Sequence, residues 1–108
     1  MYDYKAKVIK VVDGDTIDCD GDLGFYMTAR IRFRLARVNT PEVRGEERAE
    51  GLQAKQWLID ELNKANNEIR VKTAKTGKYG RWIGEIIVGD MNMNDELVKS
   101  GHAEYTNY

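Results

Sequence analysis

The chain has 108 residues, 42% of them hydrophobic, which is one domain's worth and enough to bury a core without a disulfide or a structural metal. Its formal net charge of −1 excludes binding driven by a broadly basic surface, so any hold on nucleic acid must come from locally placed charges. One cysteine, Cys19, excludes an internal disulfide, and with no basic leader, apolar signal run or membrane-length stretch in view the expectation is a soluble, cytoplasmic chain.

Residues 4–12 are rich in valine and isoleucine and predict a first strand. Asp13-Gly14 signals a turn, Thr16-Ile17 opens a second strand, and Asp20-Gly21 signals another turn. Residues 30–35 alternate strictly, so a third strand places Ile31, Phe33 and Leu35 on one face and Arg30, Arg32 and Arg34 on the other. From about Glu46 to Asn66 the period lengthens. Ala54, Leu58, Leu62 and Ala65 recur at three- and four-residue spacing, as on an amphipathic helix. Residues 68–75 and 81–88 predict two more strands around a turn at 76–80. Asn94 suits the N-cap of a short helix through Val98, and Gly101 is placed to stop it. Three strands, a long helix, two strands and a short helix predict a single domain over 1–108. It is mainly β with helices (α+β), a five-stranded OB-fold barrel.

Three places concentrate functional side chains. Asp13-Gly14-Asp15-Thr16 reads locally as a hairpin turn. The run Arg34-Leu35-Ala36-Arg37-Val38-Asn39-Thr40-Pro41-Glu42 reads as an arginine-decorated strand that ends at a proline. Lys78-Tyr79-Gly80-Arg81 reads as a glycine turn with a solvated arginine. Together they offer what phosphodiester cleavage needs. Asp15, Asn39 and Thr40 supply oxygen donors for a hard cation such as calcium. Arg34 and Arg81 supply planar forks for phosphate. Glu42 supplies a carboxylate for water.

The same residues, in this order and with the intervening helix, resemble the staphylococcal nuclease (thermonuclease) family over nearly the whole chain. The resemblance implies a five-stranded OB barrel that hydrolyses DNA and RNA with little sequence preference, uses one calcium ion and leaves 3′-phosphates. It implies that Asp15 is a direct metal ligand, Thr40 a ligand through its backbone oxygen, Asn39 the second side-chain ligand and Asp13 an outer-shell acid. Arg34 and Arg81 match the phosphate-binding arginines, Glu42 the general base, and Lys78 and Tyr79 the contacts to a terminal phosphate. The family's aspartate at the second ligand position is here an amide, Asn39, which ligates calcium without adding charge. Tyr105 and Tyr108 fall near the family's nucleotide-stacking tyrosines. Expected partners are nucleic acids, single-stranded by preference, with the chain acting as a monomer. The alternative from another class is a non-catalytic OB module that holds single-stranded nucleic acid or a protein. Modules of that kind typically lose the acids and arginines that this chain keeps.

Other features carry less. Asp18-Cys19-Asp20-Gly21-Asp22 starts like an EF-hand calcium loop, but Leu23 and Ala29 stand where glycine and glutamate are required. Cys19 reads as a small core residue, His102 as a surface or capping residue and Trp57 as core. Trp82 reads as core or as a base-stacking residue.

Overall fold

The computed structural model describes residues 2–76 and 82–107. Strands β1 (Tyr2–Asp13), β2 (Thr16–Gly24) and β3 (Met27–Leu35) form an antiparallel meander. A two-residue strand, β4 (Val38–Asn39), and a 3₁₀ turn at Gly45–Glu47 lead into helix α1 (Arg48–Lys64). Then follow β5 (Glu68–Thr76), β6 (Trp82–Val88), β7 (Met91–Asn92), helix α2 (Met93–Lys99) and β8 (Glu104–Tyr105). The sheet order is β3-β2-β1-β5-β6, and β3 also pairs in parallel with β6 from Phe33↔Trp82 to Leu35↔Gly84. That pairing closes a five-stranded barrel and removes its free edges.

Val8, Ile17, Cys19, Phe33, Leu35, Val71 and Ile86 fill the barrel. Leu58 and Leu62 of α1 and Met93 and Leu97 of α2 complete the core, all essentially buried. Burial of each such side chain contributes about 2 kcal/mol, which is why the helical period of α1 survives a weak intrinsic helix start. Among the described residues no helix is long and apolar enough to cross a membrane.

Two expected features lie elsewhere. No turn forms at Asp20-Gly21; both residues pair on either side, and the strands run on to a reversal at Phe25-Tyr26. Those two residues have φ of 55° and 61°. A two-residue hairpin needs left-handed backbone at both central positions to match the strand twist, and the pairing enforces it against the side chains' preference. The cap of α2 is Asn92, whose side chain accepts from the Asp95 amide at 3.1 Å. Asn94 is instead wholly buried: its Nδ2 donates to Ala36 O (2.8 Å) and Gly84 O (3.1 Å), and its Oδ1 accepts from Ile86 N (3.0 Å). It fastens α2 to the end of β3 and to β6.

Candidate active site

Asp15 sits on the turn between β1 and β2. Register slips between Val8 and Lys10 and between Val11 and Asp13 bend β1 toward this turn. Gly14 lets the turn press inward: a Cβ there would stand 2.9 Å from Ala54 Cβ of α1 and 3.0 Å from Thr40 Cγ2. The Asp15 carbonyl accepts from Leu35 N at 2.8 Å, which ties the turn to the end of β3. The carboxylate is largely buried. Oδ1 accepts from Thr16 Oγ1 and Oδ2 from Thr40 N, each at 3.1 Å.

The three alternating arginines of β3 do not share one environment. Arg30 and Arg32 are exposed and paired across the sheet with Asp20 and Asp18. Arg34 is only 4% exposed. Its Nη1 donates to Leu35 O at 2.6 Å, and its Nη2 donates to Asn39 Oδ1 at 3.3 Å and lies 3.5 Å from Asp15 Oδ2. The polypeptide turns at Arg37, in left-handed conformation with φ of 67°, and folds Asn39 and Thr40 back over the end of β3. Pairing of β4 with β8, Asn39↔Glu104 and Val38↔Tyr105, holds that segment.

The fold therefore brings Asp15, Arg34, Asn39 and Thr40 together. Glu42 is exposed two residues beyond Thr40, and Asp13 is half-buried at the end of β1, opposite Thr16. Lys78, Tyr79 and Arg81 lie outside the described residues, as does Tyr108; Trp82, which follows them, is 40% exposed. Tyr105 is engaged elsewhere, its hydroxyl donating to Asp95 Oδ1 at 2.9 Å.

The donor set suits a hard cation. Asp15, Asn39 Oδ1 and the Thr40 carbonyl are oxygens only, and no group of three His, Cys, Asp or Glu side chains placed to hold a metal occurs among the described residues. Thr40 Oγ1 is buried with no hydrogen-bond partner among the described residues, on the residue whose amide donates to Asp15. Burial, helped by Asp20 and Asp18, pushes the Cys19 thiol up to about 12, so it stays protonated and unreactive at neutral pH.

One cluster had no signal in the sequence. Arg37 donates from Nε and Nη2 to both carboxylate oxygens of Glu85, and its Nη1 lies 3.0 Å from Asp95 Oδ1. Asn92 Nδ2 also donates to Glu85, at 2.9 Å, and the Tyr105 ring lies 5.8 Å from the guanidinium. Arg37 holds the Asp95 carboxyl below the usual range, against burial, which raises it; the Tyr105 hydrogen bond adds to the lowering. Glu85 and Asp95 are remote from Arg37 in sequence, so no local pattern announces the cluster.

Residues 32–108 match the family of staphylococcal nuclease homologues. An uncharacterized protein of Methanocaldococcus jannaschii is 30% identical over 93% of this chain and 58% of its own length. An uncharacterized endonuclease of Escherichia coli O157:H7 is 28% identical over 94% of this chain and 60% of its own. A micrococcal nuclease of Shigella flexneri is 32% identical over 78% of this chain and 42% of its own. The chain spans less than two thirds of the length of each of these relatives.

Proposed function

The chain belongs to the family of staphylococcal nuclease homologues, and on that premise we propose that it is a calcium-dependent nuclease. It hydrolyses phosphodiester bonds of DNA or RNA with little sequence preference, acts as a cytoplasmic monomer and leaves 3′-phosphates. The observation that carries the reading is the convergence on one buried arginine: Arg34 Nη2 lies 3.3 Å from Asn39 Oδ1 and 3.5 Å from Asp15 Oδ2, with Thr40 N bonded to the same carboxylate.

In this reading Asp15, Asn39 and the Thr40 carbonyl would hold calcium, with Asp13 an outer-shell acid, and the ion would supply positive charge to the phosphoryl oxygens. Arg34, oriented by Leu35 O and Asn39 Oδ1, offers its fork to the same oxygens, and Arg81 is given the same role. Glu42 accepts a proton as a water oxygen bonds to phosphorus. The bond from phosphorus to the 5′-oxygen breaks, and that oxygen takes a proton from solvent water as it leaves. Lys78 and Tyr79 meet the terminal phosphate. A cleft that reads one backbone favours single strands, and with a net charge of −1 only the cleft attracts, so binding falls steeply with salt.

The test is cleavage of single- and double-stranded DNA and RNA with calcium, with zinc and with excess chelator. Calcium should support cutting, chelator should stop it, and zinc should not substitute, because the site offers no histidine or thiolate. Binding of single strands without any cutting would favour the non-catalytic module instead.

A further inference from the structure

We propose that Gly51 is the residue that positions Glu42, an inference that rests on the reading of Glu42 as the group that takes the proton from water. Gly51 lies in the first turn of α1 and is buried. A Cβ there would stand 2.1 Å from the Glu42 carbonyl oxygen, 2.5 Å from its carbonyl carbon and 2.8 Å from the Pro41 carbonyl oxygen. All three are backbone atoms, so no side-chain rotation relieves the overlap. Ordinary contact begins at 3.4 Å, so a methyl group at 51 requires more than 1 Å of movement between α1 and residues 41–42.

Backbone freedom does not explain this glycine. Positive φ occurs at Gly24, Gly45, Gly89 and Gly101, but not at Gly51, which is helical. Glycine within a helix is a poorer choice than alanine. Close approach of the Glu42 backbone is the reason that remains. The contact fixes one end of a short path whose other end, Thr40 N, is bonded to Asp15. Pro41 stiffens the path between them. The exposed carboxylate of Glu42 therefore takes its reach toward the Asp15–Arg34 cleft from the helix surface at Gly51, and a shift of about 1 Å in a catalytic group costs on the order of a hundredfold in rate.

The experiment compares Gly51→Ala, Glu42→Gln, the double variant and Glu42→Asp by steady-state cleavage of a short single-stranded DNA, with calcium titrations of each. At saturating calcium, Gly51→Ala should lower kcat on the order of a hundredfold while KM stays near wild type. In the Glu42→Gln background the same change should add little, because the group it misplaces is gone. Glu42→Asp, which withdraws the carboxylate by one methylene on an untouched backbone, should lose kcat comparably, and it keeps the proposal testable if Gly51→Ala does not fold. Multiplying losses in the double variant, or wild-type cutting at saturating calcium by Gly51→Ala or by Glu42→Asp, overturns the positioning role. If Glu42→Gln itself cuts at the wild-type rate, the reading of Glu42 is what fails, and the positioning proposal falls with it.

Discussion

Arg34 and Arg37 lie on the same short stretch of chain, yet their surroundings differ in kind. Arg37 grips Glu85 with two hydrogen bonds, lies 3.0 Å from Asp95 and rests over Tyr105. An approaching phosphate would have to displace two carboxylates. Arg34 is buried, donates to Leu35 O and Asn39 Oδ1, and pairs at 3.5 Å with Asp15, whose carboxylate also accepts from Thr16 and Thr40. Arg37 is held at the half-exposed surface by two carboxylates that have no part in the proposed site, whereas the carboxylate beside the buried Arg34 is Asp15, itself a proposed metal ligand.

Replacing either arginine by lysine keeps the charge and removes the fork. Arg34→Lys should lower kcat about 10²- to 10³-fold, the range for loss of one oriented transition-state donor, with a near-normal melting temperature. Arg37→Lys should keep cleavage per folded molecule near wild type and lose about 1 kcal/mol of stability, discounted because its side chain is 43% exposed. Steady-state kinetics and urea melts on both proteins read the two effects, and a reversal of the pattern contradicts the comparison.

Asn94 sharpens it from the structural side. Asn94→Ala leaves Ala36 O, Gly84 O and Ile86 N without their side-chain partner in a fully buried position, and should cost about 3 kcal/mol in urea unfolding. The partners of Asn94 are Ala36, Gly84 and Ile86, none of them a site residue, so calcium-saturated cleavage should fall only as far as the folded fraction does.

The smallest effect is with acid. Arg37 holds Asp95 below its ordinary value and Arg32 does the same for Asp18, in each case against desolvation. A depressed folded pKa contributes stability above the unfolded value of about 4 and loses it as pH falls through the folded value. Stability should therefore decline below about pH 4, and Arg37→Ala should flatten part of that decline in melts run from pH 3 to pH 7. An unchanged slope would mean that Asp95 does not draw on Arg37.

Much of this was legible in the sequence for definite physical reasons. The alternation around Phe33 and the helical spacing of Ala54, Leu58 and Leu62 report burial directly, and the motif residues carry side chains that few other roles require. Alternation put Arg30, Arg32 and Arg34 on one face without telling them apart, and only the motif around residues 34–42 singled out Arg34. Alternation does not tell that residues 38–40 fold over Arg34 alone. Asp20-Gly21 is a sound local turn signal, overruled by strand pairing on both sides. Asn94 obeyed the capping preference but stood two residues inside the true cap, Asn92, and its partners lie on other elements. Gly51 looked like an ordinary helix residue because nothing in a sequence shows a carbonyl approaching it from outside.

The central claim is that Asp15, Asn39 and Thr40 form a cation site beside Arg34, and Asn39→Asp tests it most directly. With Asp15 supplying the single formal negative charge among the proposed ligands, wild type should need calcium in the roughly millimolar range of low-affinity sites. The nearly isosteric aspartate adds a second charge and should lower the calcium midpoint of both cleavage and thermal stabilisation, with little change in the fold. A calcium midpoint that does not move would contradict the account by showing that residue 39 is not a ligand. Loss of all cleavage would contradict it as well, since the amide would then be acting as a donor.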